Sequence, residues 1–417
     1  MAKFTDKRKR RDYQVSELVT GAIAMFLFKE TSRNALNNDR SEHFRNNYFK
    51  IFKLRLPHMD TADAFLRLLP PHELEGLKAG LVGCLIEQKV LHRFKLLGSH
   101  FTVAVDGTGV TSYDENDAQQ SRQHKTHKSG KVTYSHYVVE AKLVTGSGLA
   151  ISLASEWVAN EPGRKYDKQD CEQRAFERLA QKLKKYFPRM PICLLADGLY
   201  ATKTFFKICK TNDWEFITVL KDECLKLLQE EIKDVENKNR QCITSVDKRN
   251  NGKTVTEQSY HWIAEPLSYA THTVHWLSCT EVLNHREGKE KKTATRFVFL
   301  TSMAVDKSNV RSIVCAGRNR WKIENEGFNT QKNGGYALTH KYSRSTFSCF
   351  KNYYQCLQIA HLINQLAEHS QEIADMLATN KLTTKHVWKD LICLLKMAII
   401  EEKDLEISER FQIRLAG

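Results

Sequence analysis

Six consecutive residues, Pro191 to Ala196 (PICLLA), carry no charge and no polar side chain beyond a thiol. A run this short and this apolar suits a strand covered on both faces, at the centre of a sheet. Upstream, Ala175, Phe176, Leu179, Leu183 and Phe187 form the stripe of an amphipathic helix, with Asp170 as its expected cap and Pro188 as its stop. Downstream, a helix over about 202–210 leads to a further strand over 214–220. Helix alternating with buried strand predicts α/β packing around PICLLA.

The flanks obey other periods. Residues 14–98 repeat apolar side chains at helical spacing (Leu18, Ala22, Met25). Thr61 is the expected cap of a helix carrying Phe65, Leu66 and Leu69, which stops at Pro70-Pro71. Another helix is expected from Glu73 through Leu77, Leu81, Leu85 and Val90 to about Leu97. The period then switches at Phe101–Asp106 (FTVAVD), and after a polar loop from Tyr113 to Lys131 come strands over 132–144 and 149–157, an antiparallel meander. A short helix near 225–235 opens a β-rich stretch with strands at 258–263, 271–277 and 296–301. Turn signals lie at Asn250-Asn-Gly252 and in the charged run 286–292. Helices are expected from beyond Val305 to Lys332, over 349–377 and over 387–400. The expected division is a helical N-terminal DNA-binding region (1–98), a core (99–221), a β-rich insertion (222–296), the second part of the core (297–345) and a helical C-terminal region (346–417).

Among 417 residues, 64 lysines and arginines outnumber 49 acids, a formal charge of +15. That excess favours nucleic acid or another anionic surface as partner. The basic run Lys7–Arg11 reads either as a DNA-contacting arm or as a solvated start, and not as a secretory signal. The longest early apolar run, Ala22–Phe28, is too short to span a membrane. Eleven cysteines without a CxxC pair suit reduced thiols in a cytoplasmic compartment. His124 and His127 stand beside lysines with no cysteine near, so zinc is not expected.

Two apolar strands meet an acid and then a glycine: Val103-Ala-Val-Asp106-Gly107 and Leu194-Leu-Ala-Asp197-Gly198. The carboxyl edge of an α/β sheet is where ligands bind. A third acid, Glu324, sits in RNRWKIENEGFNTQKN, one helical turn after Arg320, with Trp321, Ile323 and Phe328 expected to anchor that helix and Gly334-Gly335 to end it. Three carboxylates with open positions suit Mg²⁺, and two such ions ~4 Å apart serve phosphodiester chemistry. Beside this stands the plainer reading of two turns and a solvated helix laced with ion pairs. Glu140, Glu156, Asp170 and Glu172 are further acids near the core, expected as caps or surface groups, while Tyr200 and Lys203 follow Asp197 closely enough to meet a substrate.

The motifs VAVDGTG (103–109), LLADGLYA (194–201) and RWKIENEGFNTQKN (320–333), in this order and with a long β-rich gap before the last, resemble those of insertion-sequence DDE transposases of the cut-and-paste class. The likeness covers roughly residues 100–345. It implies an α/β fold with a ribonuclease H-like (retroviral integrase-like) mixed sheet, interrupted by the β-rich insertion. It implies Asp106, Asp197 and Glu324 as catalytic ligands of two Mg²⁺ ions, which Mn²⁺ could replace. Arg320 matches the arginine of the family's Tyr-x2-Arg-x3-Glu-x6-Lys signature, whose guanidinium would grip a DNA phosphate. The signature tyrosine falls on Gly317 and the lysine on Gln331, with Lys332 one residue late. On a regular α-helix, position 331 stays within ~20° of the Glu324 face and 332 lies ~80° away. Trp262 and Trp276, in the insertion, are candidates to stack on a base flipped from DNA, with buried core tryptophan as the alternative. The implied partners are double-stranded DNA, at terminal inverted repeats and target, and a second copy of the chain, in a prokaryotic cytoplasm. Rival readings are a metal-dependent nuclease on the same core and a DNA-binding protein whose catalytic core has decayed.

Overall fold

One mixed sheet runs through the protein, and both halves of the chain feed it. The computed structural model describes residues 4–115, 122–160, 169–222, 224–249, 254–285, 293–343, 345–405 and 413–415. The expected turn at 250–252 and the charged run at 286–292 lie outside these residues.

Five helices come first: α1 (Val15–Leu27), α2 (Arg33–Asn38), α3 (Glu42–Phe52), α4 (Met59–Leu68) and α5 (Pro71–Glu87). Ser32 and Ser41 cap α2 and α3 by accepting the Ala35 and Phe44 amides. Thr61 is not a cap; α4 starts earlier, at His58, whose Nδ1 accepts from the Asp60 amide. Proline occupies the first position of α5, where its missing N–H costs nothing. That helix ends at Gln88, short of the expected Leu97.

The sheet begins with β1 (Phe101–Tyr113), β2 (Gln123–Thr126), β3 (Val132–Val144) and β4 (Ala150–Val158). Then follow α6 (Glu172–Tyr186), β5 (Ile192–Ala196), α7 (Lys203–Asn212) and β6 (Glu215–Val219). Asp170 does not cap α6. Its carboxylate instead takes the Arg178 guanidinium at 2.6 Å and the Ala159 amide at 3.1 Å. Next come α8 (Lys226–Asn239), β7 (Arg240–Arg249), β8 (Thr254–Ile263), β9 (Leu267–Tyr269), β10 (His272–His285) and β11 (Thr293–Thr301). Strand order is β2-β3-β1-β5-β6-β11-β10-β8-β7, with β4 on β3 and β9 on β10. Among the described residues, only the β1–β5 and β5–β6 pairs are parallel. The β-rich stretch is thus no separate body: β11 pairs with β6, and the hairpins beyond it extend the same sheet.

After the sheet come α9 (Val310–Arg318), a tight turn at Asn319–Trp321, a π-helical segment at Ile323–Asn329 and α10 (Thr330–Asn333), where one continuous helix was expected. The chain continues through α11 (Phe347–Glu368), α12 (Gln371–Asn380) and α13 (Thr384–Met397). Among the described residues, no helix is long and apolar enough to cross a membrane.

Three apolar clusters organise this mixed α/β structure. The first lies between one sheet face and α5, α6 and α7. The second joins the N-terminal helices to α11 and α13. The third covers the opposite sheet face under α9 and the π-helical segment. Helix α11 is buried on nearly all sides yet carries amides inward. Asn352 donates to the Leu66 and Leu69 carbonyls at 2.8 Å each, which closes the end of α4. Gln365 accepts the Ala150 amide of β4 at 2.7 Å. A buried N–H left without an acceptor is costly, so each of these amide bonds matters. Asn352→Leu would leave both carbonyls without their donor. We expect a loss of about 1–3 kcal/mol in chemical denaturation; unchanged stability would mean that water replaces the amide.

Candidate active site

The parallel pairing of β1 and β5 fixes two of the acids. Ala104 faces Leu195 across the pair, and both lie on the sheet face covered by α9. Strand side chains alternate with period two, so the next residues on that face are Asp106 and Asp197. Strand β5 stops at Ala196, whereas β1 continues to Tyr113. Asp106 is therefore not at a strand end, as the sequence suggested. It lies where the parallel pairing ends, and Asp197 stands beside it.

Neither neighbouring glycine is simply a turn residue. A Cβ on Gly107 would meet the Tyr137 ring at 2.6 Å and the Glu172 carboxyl carbon at 2.9 Å. A Cβ on Gly198 would meet the Lys221 stem at 2.8 Å. Gly198 admits a side chain that closes against its acid, whereas Gly107 makes room for the Tyr137 ring and Glu172. Lys221 crosses Gly198 to reach Asp197 at 2.9 Å. Glu172 is no surface group: it accepts hydrogen bonds from Tyr137 and, at 3.3 Å, from Tyr200. Tyr200 is thereby buried in the core.

The third acid comes from the segment after α9. Gly317 lets α9 lie close on the sheet, since a Cβ there would meet Phe299 at 2.8 Å and Ile217 at 3.0 Å. A tyrosine has no room at that position. Ile323 and Phe328 sink into the third apolar cluster, while Glu324 stays 51% exposed at the mouth of the site. One guanidinium nitrogen of Arg320 reaches Asp106 at 3.2 Å and Glu324 at 3.1 Å. Glu326 points elsewhere and pairs with Lys322 at 3.2 Å.

The π-helical turn also alters which residues follow Glu324 around the helix. Such a turn holds one residue more than an α-helical turn, so the 100° spacing does not carry through it. Gln331 is fully buried and bonded to Gln358 at 2.8 Å. Lys332 instead reaches the site, donating to Thr108 at 2.8 Å, two residues beyond Asp106 on β1.

Charge is unevenly matched here. Burial first, and then the facing Glu324 carboxyl within hydrogen-bond reach, push Asp106 up from 3.8 to about 7. Burial also works against ionised Asp197, but the Lys221 ammonium and the Gly198 amide outweigh it and hold that carboxyl below its ordinary value. Among the described residues, no three acid, histidine or cysteine side chains already converge as a metal site. The donor set still fits a hard cation. All the donors are carboxylate oxygens, and Asp106 and Glu324 share a single guanidinium.

Beside the acids opens a cavity of about 470 Å³ lined by Asp197, Lys221, Arg296, Arg318, Arg320 and Trp321, with Phe297 and Phe299 among its walls. Trp321 was expected to anchor the helix, yet it is 55% exposed. Trp262 and Trp276 have the opposite placement. They are 5% and 1% exposed, and each belongs to an apolar cluster. Neither offers a ring face to a base, because β8 and β10 turn both indoles into the sheet's own packing. Sequence reasoning missed Lys221. Its only trace was the glycine after Asp197, an acid 24 residues away from the lysine that pairs with it.

No known family profile matches the chain, and no curated protein matches it in sequence.

The raised value of Asp106 has a measurable consequence. The unfolded chain loses this proton near pH 4, whereas the fold keeps it to about pH 7. Stability from this group therefore falls as pH rises across that window. In thermal melts without divalent ions, Asp106→Asn should gain on the native protein steadily from about pH 4 to about pH 7 and then level off. Asp197 shifts oppositely but is common to both proteins. A constant difference would show that Asp106 ionises normally.

Proposed function

We propose that this protein is a DNA transposase with a ribonuclease H-like core, which cuts and rejoins DNA strands at the ends of a mobile element with Mg²⁺. The carrying observation is that Asp106 and Asp197 leave adjacent parallel strands at the same level, while Glu324 meets Asp106 across the shared Arg320 guanidinium. The basic cavity alongside and the +15 charge supply the polyanion side of the reading.

Asp106, Asp197 and Glu324 would hold the divalent ions, with Mn²⁺ an acceptable substitute. Two bound ions would supply Lewis acidity at the attacking and leaving oxygens of a phosphodiester. In the first step a water oxygen bonds to phosphorus while the bond to the strand's 3′ oxygen breaks. The freed 3′-hydroxyl then attacks a second phosphodiester, so the number of such linkages is conserved in that step. Arg320 and Lys332 flank the acids and suit the non-bridging phosphate oxygens, Arg320 through its planar fork. Trp321, at the mouth of the basic cavity, takes the stacking role for which Trp262 and Trp276 are too deeply buried. Pairing two element ends calls for two copies of the chain on DNA.

The decisive assay uses DNA bearing the inverted repeats that flank the gene. Asp106→Asn, Asp197→Asn and Glu324→Gln should each abolish Mg²⁺-dependent nicking and leave binding of that DNA in Ca²⁺ within a few-fold. Nicking retained by any of them would overturn the assignment. Cleavage by the native protein without joining to a target would instead indicate a nuclease, and no cleavage at all a DNA-binding protein. Trp321→Ala should weaken binding of cleaved ends by ~1–3 kcal/mol, as loss of one stacked base would. Equal affinity of the variant for these ends would remove Trp321 from the interface.

A further inference from the structure

Lys142, on β3, is completely buried and lies directly under the segment that carries Glu324. We propose that Lys142 is a positioning residue that sets the register of the π-helical turn, and with it the placing of Glu324 and Lys332. The inference rests on the function proposed above and concerns how the same site is held.

Lys142 meets the turn at both ends of its side chain. Its stem runs past Gly327, where an added Cβ would lie 3.1 Å from Cδ and 3.2 Å from Cε. The ammonium is 5.7 Å from the centre of the Phe328 ring. Its head donates to Gln358 of α11 at 2.7 Å. Gln358 and Gln331 exchange two amide hydrogen bonds, at 2.8 and 3.1 Å. These contacts at 327, 328 and 331 bracket the end of the π-helical turn from its buried side. Were the turn to tighten into an α-helix, the surplus residue would be expelled. Positions 330–333 would rotate against Glu324, and Gln331 would move toward the place that Lys332 now holds. The amide pair, anchored by the ammonium, opposes that rotation.

Charge balance is only part of the lysine's role, although its ammonium, ahead of that of Lys78, keeps the buried Glu140 carboxyl ionised. Glu140 already receives Ser152 at 2.6 Å and Tyr354 at 2.8 Å, and feels the buried ammonium of Lys78. Lys142 adds a second buried cation to that cluster, 3.4 Å from Glu140. A methionine of similar length would fill the same space and leave Glu140 to Lys78, Ser152 and Tyr354, at a cost in stability that the Lys78→Met control shares. What methionine cannot do is hold Gln358.

The test compares Lys142→Met with Lys78→Met in the full-length protein. Lys78 is the matched control: it is equally buried and bonds Ser152 and Ser155 at 2.7 and 3.2 Å, away from the turn. Hydrogen exchange is read over residues 323–333 and over α11. In Lys142→Met, exchange at 323–333 should quicken about ten-fold while α11 stays protected. The Mg²⁺ concentration for half-maximal cleavage should rise and kcat fall. Lys78→Met should lose stability without either change. Gln358→Met, which cuts the same bridge and keeps the lysine, should repeat the Lys142 result and serves if Lys142→Met does not fold. Unaltered exchange at 323–333, or an equal effect from Lys78→Met, would overturn the proposal. If the native protein neither cleaves DNA nor binds Mg²⁺, the functional reading fails, and the exchange comparison still decides the register.

Discussion

Everything near the site leans on the amide stripe of α11. A helix buried on nearly every side would ordinarily present aliphatic groups all round. This one places Asn352, Gln355, Gln358, His361, Asn364 and Gln365 inside. Asn352 binds the end of α4, Gln355 and Gln365 bind β4, Gln358 and His361 bind Gln331 after the π-helical turn, and Asn364 binds Tyr336. Apolar packing is tolerant of small slips. A buried amide that must meet a particular partner is not, because an unpaired donor in that setting is costly. The stripe therefore acts as a register for the N-terminal helices, the sheet and the turn that bears Glu324 at once.

The two aspartates depend on a second register, that of β1 against β5. Sliding either strand by one residue would turn its whole set of side chains to the other face. That would send Asp106 or Asp197 into the cluster beneath α5 and α6. The apolar residues on both faces forbid the slip. The glycine after Asp197 then admits Lys221 to within contact of that acid, and Arg320 reaches Asp106 from the segment after α9. The acids are placed by the sheet, while their charge is governed by side chains from elsewhere in the chain.

Much of this was legible in the sequence, and the gaps have physical causes. PICLLA announced a central strand through its composition and FTVAVD a strand leading to an acid, while the register that puts both aspartates on one face came from the pairing of β1 with β5. The acid of the third motif was visible beside Arg320. The π-helical turn was not visible, because a single sequence shows apolar spacing and a surplus residue in one turn barely disturbs it. Hence Gln331 looked better placed than Lys332, and Trp321 looked like an anchor. Strand β7 (RQCITSVDKR) carries little apolar alternation, since it forms one edge of the sheet and has a partner on one side only. Trp262 and Trp276 differ from Trp321 only in where the backbone takes them, which composition does not report.

The sheet order also determines when the parts meet. Strand β6 acquires its second neighbour only from β11, paired as Thr218 with Leu300. Arg320 and Asp106 are 214 residues apart along the chain. Contacts of such separation form late and slowly. During synthesis, which proceeds from the N-terminus, Asp106 and Asp197 emerge long before Glu324, and α11 comes after all three. A nascent chain halted anywhere before the last motif has an incomplete acid set and an unfinished sheet edge. The topology thus delays assembly of the site until nearly the whole protein has left the ribosome.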